Sequence, residues 1–269
     1  MSAKKGYELK PNPATGRYRL ISGNWKMNLN HLEAISIVQK LYFELRDVDY
    51  AFSEISIHPP ATSLRSLQLL IESDKMRFAL GAQNLYFEQK GAYTGEISAS
   101  MLSKLNVRYV IVGHSERRKY FGETDEIVNK KVAATFSEAM TPIVCVGESM
   151  EEREEGKTDD VLSQQVRGAF DGIAPELVAK AVVAYEPIWA IGTGLVATPE
   201  DASSGASLIR DEIERNFGIE VANSVRIQYG GSVTPTTSAE LLAADGVDGL
   251  LVGGASLDAE AFARIVRSI

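Results

Sequence analysis

A chain of 269 residues with 45% hydrophobic side chains carries enough apolar material for one large core. Its formal charge of −8, with no cluster of basic and aromatic residues, argues against nucleic acid and anionic membrane as partners. No apolar run reaches the roughly eighteen residues a spanning helix needs, so no membrane segment is expected. The single cysteine, Cys145, can close no internal disulfide and suits a reducing compartment.

Residues 1–17 read as a solvated tail: Lys4, Lys5, Glu8, Lys10 and two prolines leave no apolar core for a signal peptide. From residue 18 to 269 short apolar runs alternate with amphipathic segments, the pattern of repeated β-α units on a parallel sheet. Expected strands are 18–22, 54–58, 77–82, 109–113, 142–146, 181–185, 226–229 and 249–252, with Cys145 as a small buried residue in the fifth. Leu32, Ile35, Val38, Leu41 and Leu45 make one helical stripe, and Ala202, Ala206, Ile209, Ile213 and Phe217 another. Thr198-Pro199 and Thr234-Pro235 each place a capping hydroxyl before a proline at a first helical position. Glutamates between Glu148 and Glu155 read as the exposed start of a helix. Eight such units in about 250 residues, with no linker-like stretch, predict an α/β fold of one domain, a closed (β/α)8 barrel.

Unusual residues collect in the segments after the strands. Gly23-Asn24-Trp25-Lys26-Met27-Asn28 follows the first; a lysine there can set an ammonium near an anion, and an asparagine offers both donor and acceptor, although either also serves solubility. His114-Ser115-Glu116-Arg117-Arg118 follows the fourth. If a helix begins near Ser115, its exposed amides lower the His114 pKa and keep the imidazole neutral, the alternative being a structural histidine.

After the sixth strand Pro187 cannot continue a central ladder, so Glu186 stands at the carboxyl end of a buried strand, where α/β folds place ligands. Residues 188–194 mix bulky apolar side chains with two glycines and look made to close over something; a strand-ending glutamate beside a partly buried loop is the bland alternative. Gly230-Gly231-Ser232 and Gly253-Gly254-Ala255-Ser256 follow strands seven and eight, the two positions from which barrels often build a phosphate site.

Seven motifs in order, Gly-Asn-Trp-Lys-Met-Asn (23–28), Gly-Ala-Gln-Asn (81–84), Gly-Ala-Tyr-Thr-Gly-Glu (91–96), Gly-His-Ser-Glu-Arg-Arg (113–118), Ala-Tyr-Glu-Pro-Ile-Trp-Ala-Ile-Gly-Thr-Gly (184–194), Tyr-Gly-Gly-Ser (229–232) and Leu-Val-Gly-Gly-Ala-Ser (251–256), make the chain resemble triosephosphate isomerases from about Arg19 to its end. The resemblance implies interconversion of dihydroxyacetone phosphate and D-glyceraldehyde 3-phosphate through an enediolate, with no metal or organic cofactor, in the cytoplasm. It makes Glu186 the base, His114 a neutral electrophile, Lys26 a stabiliser of developing charge and Asn24 a holder of the substrate oxygens. Amides of Gly192, Ser232, Gly253 and Gly254 would hold the phosphate, and residues 187–197 would be the lid. A homodimer is implied, loop 91–96 entering the neighbouring subunit so that Thr94 supports Asn24 and His114. Two features depart from the pattern: the tail, and Leu195-Val196-Ala197 where many family members have Lys-Thr-Ala. Other phosphate-binding barrels, or an inactive homologue serving as a binding protein, remain as alternatives, against which Asn24, Lys26, His114 and Glu186 stand together.

Overall fold

Strands rich in valine, isoleucine and leucine and buried on both faces need cover on both sides, and a parallel sheet flanked by helices supplies it. The computed structural model describes residues 8–192 and 194–268. Residues 1–7 of the expected tail, Thr193 of the expected lid and Ile269 at the end of the expected domain lie outside them. β1 (Arg19–Asn24), β2 (Ser53–His58), β3 (Ala79–Ala82), β4 (Val107–Val112), β5 (Thr141–Val146), β6 (Val182–Tyr185), β7 (Arg226–Tyr229) and β8 (Gly249–Val252) follow one another around a closed barrel. The seam closes where Leu20 to Gly23 of β1 pair in parallel with Gly249 to Val252 of β8. Helices lie between the strands, so the fold is a (β/α)8 barrel.

Alternation along each strand sends one set of side chains inward and the other toward the helices. Ile21, Ile55, Ile57, Val110, Val144, Val183, Ile227 and Leu250 belong to the large core shared with the helices. Leu20, Tyr109, Ile111, Ile143, Cys145, Val182, Ala184 and Leu251 form a separate cluster that fills the barrel interior. At its lower end Glu54 accepts hydrogen bonds from Tyr109 Oη at 2.6 Å and Arg226 Nη1 at 2.9 Å.

On the β1, β2 and β7 side the interior is polar. The Gln228 amide donates to the Leu20 carbonyl at 2.9 Å and to Ser22 Oγ at 2.8 Å; the Ser22 and Ser56 hydroxyls bond to each other at 2.8 Å. Ser56 Oγ meets His58 Nε2 at 3.0 Å, and His58 Nδ1 meets the Ala82 carbonyl oxygen at 3.1 Å. Only glycine fits at position 81, because a Cβ there would overlap the His58 ring. His58 is fully buried, and burial lowers its pKa to about 4.

Boundaries differ locally from the sequence reading. β1 runs on to Asn24 because Gly23 and Asn24 pair with Ile57 and His58. β3 begins at Ala79, since its pairing with β2 starts there, while Phe78 packs against the rings of Tyr42 and Tyr50. β4 begins at Val107, just after Asn106 turns the chain at φ 55°, and it ends at Val112 because Gly113 turns away at φ 69°. Thr198 caps the helix Pro199–Phe217 with proline at its start, and Ala202, Ala206, Ile209 and Ile213 are buried, as the pattern requires. Leu32 departs from its stripe: it lies six positions from Val38, about 240° around the axis, and is exposed, while Ala34, Val38 and Leu41 form the buried face. Thr234-Pro235 opens a turn instead of a helix; Thr234 Oγ1 accepts from the Thr237 amide at 3.3 Å, and the helix starts at Ser238. The described part of the tail is largely exposed but tied to the barrel at two points: the Lys10 amide donates to the Ala51 carbonyl at 2.9 Å, and Arg17 Nε pairs with buried Asp248 at 2.7 Å.

The neutral, buried His58 has a consequence for acid stability. Between its folded pKa of about 4 and the ordinary histidine value near 6.5, only the unfolded chain binds the proton, so stability falls as pH is lowered through that window. The loss is on the order of 3 kcal/mol at about 1.4 kcal/mol per pH unit. Urea unfolding at pH 6.5 and 4.5 should show this slope in the parent and a shallower one in His58→Leu; equal slopes would contradict it.

Candidate active site

Glu186 stands one residue beyond β6, its amide still donating to the Val146 carbonyl at 2.7 Å, before Pro187 breaks the ladder. Gly147 must lack a side chain, because a Cβ there would overlap the Glu186 carbonyl. The Glu186 carboxylate is 2% exposed. Its Oε1 lies 2.9 Å from His114 Nε2, and its Oε2 accepts from the Ser115 amide at 3.0 Å. Gly113 supplies the turn that brings His114 to the start of the helix Ser115–Phe121, and His114 is that helix's N-cap. The Glu116 amide donates to His114 Nδ1 at 3.2 Å, which leaves Nε2 as the nitrogen that carries the proton toward Glu186.

Burial opposes ionisation of Glu186, but His114, the Ser115 amide and Lys26 outweigh it and hold the carboxyl below its ordinary pKa. Burial likewise disfavours a charged His114, while the carboxylate beside it acts the other way and draws its pKa up. The expected lowering at the helix start is therefore overridden while Glu186 rests against the ring. Beneath the pair, burial pushes the Cys145 thiol well above its ordinary value.

Asn24 ends β1, and its Oδ1 accepts from the Lys26 amide at 3.1 Å. Lys26 adopts φ 54°, a left-handed conformation that costs a side-chain-bearing residue about 1 kcal/mol or more. Its Nζ pairs with Glu116 Oε1 at 2.7 Å, so the helix that presents His114 also holds the lysine. Asn24, Lys26, His114 and Glu186 line one cavity of about 380 Å³ together with Ile191, Gly192, Ser232, Leu251, Gly253 and Gly254. All eight residues singled out from sequence are thus brought to one place. Gly254 begins a short 3-10 turn, Gly254–Leu257, and a Cβ built on Gly254 meets nothing within 4 Å. At Gly253 a Cβ would lie 3.6 Å from Lys26 Cε, so backbone and ammonium stem converge on the same end of the cavity. Ser232 Oγ donates to the Ala190 carbonyl at 2.9 Å, tying the cavity wall to the start of the expected lid, of which Leu195 and Val196 are exposed.

Glu148 is the residue that the sequence reading misplaced. It is fully buried, not an exposed helix start, and its Oε1 accepts from Tyr185 Oη at 3.0 Å and Trp189 Nε1 at 2.8 Å. The exposed helix is Met150–Glu154, capped by Ser149. Beside it the Arg153 guanidinium lies 4.2 Å from the Trp189 ring centroid and pairs with Asp201 at 2.6 Å. A run of acidic residues hides such a glutamate; the signal lay in Tyr185 and Trp189, whose buried polar tips require an acceptor. Glu116 and Gln83, named from sequence only as members of their motifs, also contribute: Glu116 holds the Lys26 ammonium and Gln83 donates to the Lys26 carbonyl.

Fold and site first define a class: barrels that set acid–base side chains against an anion pocket at the carboxyl ends of their strands. The family model described as triosephosphate isomerase matches residues 19–269. The triosephosphate isomerase of Streptomyces avermitilis is 52% identical over 253 residues, covering 94% of this chain and 98% of the relative. That of Bifidobacterium longum is 50% identical over 256 residues, covering 94% and 96%, and that of Saccharopolyspora erythraea is 49% identical over 249 residues, covering 93% and 95%. The chain belongs to the triosephosphate isomerase family.

Proposed function

We propose that this chain interconverts dihydroxyacetone phosphate and D-glyceraldehyde 3-phosphate. The observation that carries the proposal is the convergence of Glu186, His114, Lys26 and Asn24 on one cavity that is also lined by the backbone of Gly192, Gly253 and Gly254. Glu186 removes a proton from the hydroxyl-bearing carbon next to the carbonyl and returns it to the former carbonyl carbon, while the hydroxyl proton passes to the other oxygen by way of His114 Nε2, so two protons change places within the substrate and no other reactant is needed. His114 donates Nε2–H to the oxygen on which negative charge grows, Lys26 offsets that charge and Asn24 orients the oxygens. Amides of Gly192, Ser232, Gly253 and Gly254 take the phosphate, in the way backbone amides at a turn or helix start hold anions.

An ordinary carboxylate, with a pKa near 4.3, is a weak base for such a carbon acid. Positioned proton transfer supplies roughly 10²–10⁴ of the rate, so electrostatic stabilisation at the oxygens must supply much of the rest. In the unliganded site Glu186 is held by His114 and Ser115, the arrangement that lowers its basicity. Substrate takes over the His114 proton, and closure of residues 187–197 brings Ile191 and Leu251 around the carboxylate and excludes water. Both changes raise its proton affinity. They also remove the carboxylate that draws the His114 pKa up, leaving the imidazole neutral. Closure shields an intermediate that could otherwise expel phosphate.

We place the enzyme in the cytoplasm, as a homodimer. Residues 91–96 are exposed, and Met27, Tyr120 and Phe121 stand out by 96%, 67% and 68% around a groove that also contains Asn24, Lys26, His114 and Glu116. Exposed apolar surface beside an active site suits a second copy whose Thr94 reaches Asn24 and His114.

Purified protein should turn over D-glyceraldehyde 3-phosphate in a coupled assay that detects dihydroxyacetone phosphate, and Glu186→Gln should lose at least about 10²-fold in kcat. Undiminished turnover in that variant, or none in the folded parent, contradicts the proposal. Specific activity should fall on dilution in step with dissociation measured by sedimentation; a monomer with full activity would refute the dimeric site.

A further inference from the structure

The catalytic reading of Lys26 leaves open what keeps that lysine in its unfavourable backbone conformation. At φ 54° the residue would relax toward the ordinary right-handed or extended regions unless its neighbours fixed it. Its side-chain pairing with Glu116 restrains the ammonium but not the backbone, and Glu116 is itself 41% exposed. The restraint on the carbonyl side comes from the loop after β3. The Gln83 amide nitrogen donates to the Lys26 carbonyl at 2.9 Å and to the His58 carbonyl at 2.8 Å. A primary amide carries two hydrogens, one for each oxygen.

Gln83 is in turn anchored. The preceding carbonyl, that of Ala82, faces His58 Nδ1 at 3.1 Å, and the His58 ring occupies the space left by Gly81. The His58 carbonyl also accepts the Trp25 amide at 3.2 Å. The ends of β1, β2 and β3 are thereby joined through one side chain. We propose that Gln83 is a positioning residue for the catalytic ammonium: by bridging the Lys26 and His58 carbonyls it fixes the left-handed backbone from which Lys26 reaches the cavity.

This inference rests on the proposed role of Lys26 and deepens it. If Gln83 acted only as a brace for the loop, its loss would weaken the enzyme whether or not residue 26 carried a charge. If it acts through Lys26, removing the ammonium removes its effect. The experiment is a double-mutant cycle with Gln83→Leu, and with the milder Gln83→Asn, in the parent and in Lys26→Met. Two quantities are read: kcat/KM for D-glyceraldehyde 3-phosphate, and the dissociation constant of 2-phosphoglycolate, a phosphorylated carboxylate resembling the enediolate. Melting temperature and sedimentation confirm the same folded species.

In the parent, Gln83→Leu should lower kcat/KM about tenfold or more and weaken 2-phosphoglycolate binding by a similar factor, the scale on which a misplaced catalytic group is felt. In Lys26→Met the same substitution should change 2-phosphoglycolate binding by less than about twofold. Equal losses in both backgrounds, or none in the parent, would overturn the inference while leaving Lys26 in place. Full activity in Lys26→Met would overturn the reading of Lys26, and this inference with it.

Discussion

A carboxylate can remain ionised away from water only where fixed donors surround it, and the site is organised around that constraint. Glu186 is 2% exposed, with one oxygen on His114 and the other on the Ser115 amide. Those contacts keep it charged, and they also keep it a poor base. The proposed chemistry resolves the conflict by making the contacts temporary: substrate oxygens claim His114, and the lid replaces donors with Ile191 and Leu251.

Every other element positions one partner in that exchange. Closure of the barrel brings the ends of β1, β4 and β6 to one mouth, where Asn24, His114 and Glu186 stand within a single cavity. The helix Ser115–Phe121 serves three of them: its first amide holds Glu186, its second orients the His114 ring and Glu116 holds Lys26. Below the mouth the interior is divided, apolar around Ile111, Ile143 and Cys145 and hydrogen-bonded from Gln228 through Ser22 and Ser56 to His58. The apolar side lies under the base; the polar side leads to the strand ends that hold Lys26.

The barrel was legible because each strand is a short buried run, and five of the eight carry candidate chemistry just beyond their carboxyl ends. Position after a strand marked Glu186, His114, Asn24 and Lys26 as candidates, with bland alternatives beside each, and the resemblance to triosephosphate isomerases implied their roles; the glycine pairs followed from their place after β7 and β8. Contacts between segments far apart in the chain were not legible. Glu148 lies among surface glutamates and is identifiable only once Tyr185 and Trp189 are seen to point at it. His58 and Gly81 read only as residues of their strands, until the ring of one is seen to fill the space that a Cβ on the other would take. Leu32 and Thr234 misled for the opposite reason: composition fitted a local rule, while the helix axis and a competing hydroxyl turn decided the outcome. The electrostatic state of His114 depends on a carboxylate some seventy residues away, and no local pattern encodes it.

The most direct test of the account is the protonation state of Glu186 with and without a ligand that resembles the enediolate. Infrared difference spectra at neutral pH, with Glu186→Gln used to isolate the glutamate's bands, should show an ionised carboxylate in the free enzyme. A protonated carboxyl should appear when 2-phosphoglycolate binds. An unchanged carboxylate in both states, or a protonated one already in the free enzyme, would contradict the claim that lid and ligand together convert a parked carboxylate into an effective base.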